Sequence, residues 1–317
     1  MTGYVARRLL LLVPVLLGVT LVVFGVMSLV PGDPALAILG PYATPERLAE
    51  LRADLGLDRS WPARYLLWLG NLSHGDLGRS VSLEQPVLDA VLARFGPTVL
   101  LAGSALIVGT LLGLAAGMLA ALRHNQTTDR LVTLGVLIGI SLPSFWLGLL
   151  LILLFAVWLG WLPASGMTTV WLAETRPADV LRHLLLPTLS LALVAAGVIA
   201  RIARAAAIDL LTADHIRLCR ARGIAEPRIL LVHGLKGVLA RAMPVIGLQA
   251  GFLIGGAVYI ETIFQWPGLG RMLVDAIAAR DLLLVQGGVL VLATAYVVVN
   301  LIADLLQHGL DRRTRAA

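Results

Sequence analysis

The chain has 317 residues, 58% of them hydrophobic and only 14% charged, with a mean hydropathy of +0.89. A soluble domain is nearer a quarter charged, so a water-soluble enzyme is excluded and a polytopic membrane protein is expected. The formal net charge of +6 needs no nucleic acid, because cytoplasmic loops of membrane proteins collect Arg and Lys.

Arg7 and Arg8 precede an apolar run from Leu9 to Val30. It is too long for a signal-peptide core, and no small-x-small cleavage site follows it. At roughly 20 residues it spans a bilayer, giving a first transmembrane helix with its N-terminus inside. Pro31-Gly32-Asp33-Pro34 ends it. Residues 31–95 then read as a polar extracytoplasmic region. Thr44-Pro45-Glu46 is a helix start, and Leu48, Leu51 and Leu55 make one apolar stripe that Gly56 stops. Trp61, Tyr65 and Trp68 fit a second short helix at the membrane interface. Gly75 to Gly78 is a turn. This region suits either a dock for another protein or a cap over the bundle.

Five further spans follow. The second runs from Thr98 to Leu122, and the third from Leu131 to about Trp161 with a kink expected at Pro143. The fourth starts with Pro187 inside Leu184 to Ala200. The fifth runs from Met243 to Phe264, starting with Pro244, and the sixth from Leu282 to Leu306. Six spans put both termini inside, where 15 of the 25 basic residues then lie.

Between the fourth and fifth spans lies the polar stretch from Arg201 to Pro244. It carries eight basic residues against Asp209, Asp214 and Glu226. Ile208, Leu211, His215, Leu218 and Cys219 fall near helical spacing, and Gly223 is a left-handed C-terminal cap. Glu226-Pro227 suits a new helix start. Two short helices joined at Gly223 are expected on the membrane surface. A basic amphipathic loop that merely follows the positive-inside rule remains the alternative. Cys219 is the one cysteine, which excludes an intramolecular disulfide framework and a cysteine metal cluster and points to a reduced thiol.

Small residues recur four apart: Gly109, Gly113 and Gly117 in the second span, Gly135 and Gly139 in the third, Gly247, Gly251 and Gly255 in the fifth. Such stripes let backbones approach closely. Bundle packing accounts for the first two, and a pathway role gains weight for the third. Glu261 and Asp304 are ionisable residues inside spans, candidates for gating or for structural pairing with Arg. No carboxylate–histidine chain crosses the membrane. No inverted repeat is evident, and no metal-ligand or nucleophile constellation appears. No Gly-rich nucleotide loop is present, and Lys236 is the only lysine, so the chain does not hydrolyse ATP by itself.

The segment from Asp214 to Gly223, DHIRLCRARG, with His233 ten residues on, resembles the cytoplasmic "EAA" loop of ATP-binding-cassette (ABC) importer permeases. The resemblance is closest to the dipeptide/oligopeptide/nickel family in its B-subunit form. It covers the whole chain: Ala6 to Pro14, Pro31 to Ala35, Leu55 to Asp58, Gly75 to Gly78, Ser141 to Trp146 and Trp161 to Gly166 match in order. Glu261 to Phe264, Pro267 to Gly270, Arg280-Asp281 and Asn300 to Asp304 continue the match. The chain departs from the family pattern in Arg217-Leu218-Cys219, in a longer interval from His233 to Pro244, and in Asp311-Arg312-Arg313.

The resemblance implies an all-α type I ABC importer permease fold of six transmembrane helices with both termini cytoplasmic. It implies a single permease domain over 1–317, with 31–95 extracytoplasmic and 201–241 as the coupling loop. Asp214, Arg217, Cys219, Ala221, Arg222, Gly223 and His233 would couple to an ATPase. Gly247, Gly251, Gly255 and Glu261 would serve the pathway. The partners implied are a paralogous second permease, two ATPases that use ATP and Mg, an extracytoplasmic binding protein and membrane lipid, all in a bacterial inner membrane. No cofactor or metal is expected on this chain. The cargo implied is a di- or oligopeptide. Nickel or a metal chelate is the alternative, and an ion-coupled carrier ranks behind both.

Overall fold

A computed structural model describes residues 2–29, 34–40, 43–54, 56–169 and 176–310. Among them the chain is helical, in line with its apolar runs. Five helices are long and apolar enough to cross a membrane, or six if one bent pair counts as a span. The chain divides into two compact units, Met1–Gly96 with Gly268–Val297, and Pro97–Pro267 with Val298–Ala317. Within helix α1 (Thr2–Leu29) and the membrane-length helices, large apolar side chains such as Leu10, Leu111 and Leu131 are more than half exposed, as lipid-facing or partner-facing residues are.

In the first unit, α1 leads to α2 (Pro34–Leu39), α3 (Pro45–Asp54) and α4 (Trp61–Ser73). Thr44 caps α3 through its Oγ1, 3.4 Å from the Arg47 N–H, and Gly56 turns the chain at φ +65. The aromatic side of α4 packs on α1. The Phe24 ring lies 5.4, 5.5 and 5.6 Å from Trp61, Tyr65 and Trp68, and the Thr20 and Tyr65 hydroxyls are 2.9 Å apart. The turn expected between Pro31 and Pro34 falls largely outside the described residues.

The first unit closes on a core of Leu77, Val87, Val91, Leu269, Leu273 and Leu284, drawn from the 76–86 loop, α5 (Val87–Leu122), α12 (Leu269–Ala278) and α13 (Leu282–Leu310). Asp281 ties the loop to α13. One carboxylate oxygen accepts from the Ser80 hydroxyl at 2.6 Å and from the N–H and hydroxyl of Ser82 at 2.9 and 2.8 Å. The other accepts from the Leu284 N–H at 3.1 Å, an N-cap bond. Burial pushes the Asp281 carboxyl pKa up, but these donors more than offset it and hold it below the usual carboxylate range.

In the second unit, α5 continues from Pro97 beside α6 (Thr127–Ser141), α7 (Ser144–Leu151), α8 (Pro177–Leu211) and α11 (Leu235–Ile263). Three sequence expectations are corrected. Helix α5 begins at Val87, so the second span starts about three turns before Thr98 and takes Pro97 into its interior. Helices α8 and α11 likewise begin before Pro187 and Pro244, which lie inside them. The third span is broken, not kinked. Leu142 and Pro143 are both extended, with ψ 129 and 135, and the chain bends by 104° before α7 and a π-helical stretch, Ile152–Trp158. The proline ring forbids Leu142 the helical region, so two residues leave the ladder.

Helices α5 and α8 meet backbone to backbone. A Cβ on Gly109, Gly113 or Gly117 would lie 3.0, 2.7 or 2.5 Å from the carbonyl oxygens of Ala192, Ala196 and Ala200. Packing therefore accounts for this stripe. In α6, Gly135 has nothing near it. It is Gly197 of α8 that makes room there, for Ile140.

Candidate functional site

The polar stretch after residue 200 is less loop than the sequence suggests. Helix α8, alanine-rich there, runs on to Leu211, so Arg201 and Arg204 are helical. Ala213 is extended, and α9 (Asp214–Ala221) follows. Ile216 is fully buried against Leu210 and Ile229, with Cys219 and Ile224 beside it. Arg217, Leu218, Arg220, Ala221 and Arg222 are exposed, and Cys219 is half-buried. The short helix thus spends its apolar side on its own chain and turns a basic side outward.

Gly223 ends it as expected, at φ +75. Its N–H donates to Arg220 O at 2.9 Å, and the Ile224 N–H donates to Cys219 O at 3.2 Å, the paired bonds of a Schellman cap. A Cβ there would meet nothing within 4 Å, so only the left-handed backbone requires glycine. The expected second short helix is corrected. Helix α10 (Glu226–Arg228) is one turn that passes through a π-helical turn, Ile229–Gly234, straight into α11, because Gly234 keeps helical angles. His233 sits on that π turn.

Arg220 fastens the reversal. Its guanidinium pairs with Glu226 through Nε and, at 3.1 Å, through Nη2, and its Nη1 donates to Leu211 O at 2.9 Å. The Arg220 hydrogen bond holds the Glu226 carboxyl pKa below its ordinary range. Both side chains are about half exposed, so the pair contributes about 1 kcal/mol or less. Asp214 and Arg217 are 3.4 Å apart and more exposed still.

A stronger ion pair stands nearby, one the sequence reading passed over. Asp129, 3% exposed in the first turn of α6, accepts from Arg204 Nε and Nη2, both at 2.7 Å. Its Oδ2 also takes the Asn125 N–H at 3.0 Å and lies 3.3 Å from His124 Nδ1. The α5–α6 turn, with Asn125 at φ +65, is thereby fixed to α8. The signal available was a lone acid among Arg123, His124 and Arg130.

The candidate pathway residues do not share one environment. Gly247 is buried, and a Cβ there would be 2.5 Å from Ala303 Cβ of α13; Gly251 is buried; Gly255 is exposed with nothing within 4 Å. Glu261 is fully buried near the end of α11, and the Thr98 hydroxyl donates to its Oε1 at 2.6 Å. Beside α11, the break at Leu142-Pro143 opens a cleft of ≈ 340 Å³ lined by Ser141, Ser144, Gln249, Phe252 and Gly256 among others. Among the described residues no group of three or more His, Cys, Asp or Glu is placed to hold a metal ion.

The arrangement is that of a membrane-spanning helical bundle with a basic helical elbow between two of its long helices. Residues 113–316 match the family described as binding-protein-dependent transport system inner membrane component, and residues 1–102 match that family's N-terminal part. The chain belongs to this family of transport permeases. It is 37% identical to a dipeptide transport system permease protein of Alkalihalophilus pseudofirmus, over 99% of this chain and all of that one. It is 38% identical to a glutathione transport system permease protein of Escherichia coli K12 and 40% identical to a di/tripeptide transport system permease protein of Pseudomonas aeruginosa, each over 99% of both chains. In fold it is similar to a chain of the MetNI methionine ABC transporter in an inward-facing conformation, with TM-score 0.55 and 18% identity over 70% of this chain and 96% of that one.

Proposed function

We propose that this chain is one permease subunit of an ATP-driven importer in a bacterial inner membrane, forming half of a pathway for di- or oligopeptides. Six spans, counting α6 with α7 as one, leave both termini cytoplasmic and residues 31–95 outside. A paralogous permease supplies the other half, two ATPases supply ATP hydrolysis with Mg, and an extracytoplasmic binding protein delivers cargo. The chain itself binds neither cofactor nor metal. The peptide reading is supported by the names of its relatives, which carry dipeptides, di- and tripeptides or glutathione.

The observation that carries the reading is α9. Ile216 anchors it to the end of α8 and to the π-helical turn that leads into α11, while Arg217, Leu218 and Arg222 face outward. An ATPase seated on Asp214 to Gly223, with His233 at the base, moves both long helices when it moves α9. Two discrete arrangements of those helices then make the inward- and outward-open states. On α11, the exposed Gly255 would face the pathway, and Gly247, Gly251 and Glu261 would serve it from the packed part of the helix. The test is Gly223→Val, which puts a β-branched residue in a left-handed backbone at a cost of about 1 kcal/mol or more. Expected are loss of ATPase co-purification and of labelled-dipeptide uptake, with Gly223→Asn largely tolerated. Normal uptake by Gly223→Val removes α9 from the coupling role, and accumulation of nickel in place of peptide overturns the cargo.

A further inference from the structure

We propose that a cleft in the first unit binds a phosphate group through Arg59, Arg64 and Gln286, and that the phosphate belongs to a membrane phospholipid. The cleft has a volume of ≈ 420 Å³ and lies among α1, α4, the Gly56 turn, the 76–78 turn and the start of α13. Its apolar wall includes Phe24, Met27, Leu67 and Trp68. The Arg64 guanidinium carbon lies 6.0 Å from the Phe24 ring centroid, which holds the cation at the wall. Among the described residues neither Arg59 nor Arg64 pairs with a carboxylate.

Gln286 is the second observation. It lines the same cleft, is 7% exposed, and its Nε2 has no hydrogen-bond partner. A buried donor without an acceptor is costly, and a ligand rich in acceptors removes that cost. The terminal torsion of Gln is soft, so its amide turns to an occupant cheaply. One acid, Asp76, also lines the cleft, and its Oδ1 already accepts the Gly78 N–H at 2.8 Å. Two cations and a free donor against one engaged carboxylate favour an anion.

Depth and shape favour a lipid as its source. Phe24, Met27 and Ser28 occupy the last turns of α1, and Leu282 to Gln286 the first turns of α13. Both are ends of membrane-length helices, where headgroup phosphates lie. A free phosphate uses the guanidinium groups but leaves the wall bare. An acyl chain covers Phe24, Met27 and Leu67 while the phosphate meets Arg59 and Arg64. The inference rests on α1 and α13 as spans and is independent of the cargo.

The test uses the full chain, purified in mild detergent, with short-chain phosphatidylglycerol and inorganic phosphate as probes and native mass spectrometry as readout. One phospholipid per chain is expected to survive purification. Arg59→Gln with Arg64→Gln is expected to weaken phosphatidylglycerol binding roughly thirty-fold, from the usual contribution of two cations near a headgroup. Arg59→Lys with Arg64→Lys keeps the charge and most of the binding. Gln286→Met, close in shape but without a donor, is expected to weaken binding roughly five-fold. Equal affinity in wild type and the Gln pair overturns the site. If that pair does not fold, unchanged binding in Gln286→Met overturns it instead. Inorganic phosphate that binds as tightly as the lipid assigns a soluble anion and overturns the lipid.

Discussion

Two stripes of glycine four residues apart meet different fates. On α5, Gly109, Gly113 and Gly117 lie against the backbone of α8, and the space for a side chain is already filled by carbonyl oxygens. On α11, Gly247 touches Ala303, Gly251 is buried, and Gly255 faces open space. The same spacing makes a seam in one helix and a face that opens along its length in the other. Spacing tells how closely something can approach, not what approaches.

The largest expected effect is on the seam. Gly117→Leu is expected to destabilise by about 3 kcal/mol or more, since backbone at 2.5 Å cannot move aside, and the chain should fail to accumulate in membranes. The alanine series grades the contact. Losses in detergent melting temperature should rise from Gly109→Ala through Gly113→Ala to Gly117→Ala, following 3.0, 2.7 and 2.5 Å. A flat series breaks the comparison. Next comes the ion pair that fixes the α5–α6 turn to α8. Asp129→Ala is expected to cost about 2 kcal/mol, below the range for a fully buried pair because the Arg204 side chain keeps 30% exposure. Thermal unfolding measures it, and adding Arg204→Met should recover part of the loss.

The α11 face should respond differently. Gly251→Leu is expected to leave an assembled complex whose ATPase no longer answers to loaded binding protein, at a cost of about 1 to 3 kcal/mol to one of two states. Failure to assemble makes α11 a second seam, and unchanged uptake removes it from the pathway. The smallest effect is a control that touches neither stripe. Asp281 has a lowered pKa in the fold, so its contribution is complete above the ordinary carboxylate range near 4 and is lost as pH falls through its native value. The unfolding free energy read from melts between pH 7 and pH 3 should fall by about 1 kcal/mol more in the wild type than in Asp281→Asn.

The sequence announced features whose cause is local. Gly223, Thr44 and Gly56 are set by backbone conformation within a turn, and each stands where the pattern placed it. It misled where a local rule was outweighed. Pro187 and Pro244 read as helix starts, yet each lies inside a long helix whose packing compensates the missing bond, as does Pro97 just before the expected start at Thr98. At Pro143 the local rule prevailed, and the span broke instead of bending. The site was partly legible. The basic amphipathic stretch and its cap could be read along the chain. The Asp129–Arg204 pair, 75 residues apart, depends on α6 meeting α8, which no periodicity encodes.

Helix α8 has 35 residues without interruption, about 52 Å of rod at 1.5 Å per residue, against roughly 30 Å of hydrocarbon. The rod is therefore about 20 Å longer than the hydrocarbon is thick. On the proposed coupling role, the part of that surplus that ends at Leu211, where Arg220 grips the terminal carbonyl, would act as a lever arm with its fulcrum in the membrane. On that reading a push at Leu211 would arrive in the bundle reduced in distance and multiplied in force. The Asp129–Arg204 clamp sits partway along α8, so the α5–α6 turn would be carried with it.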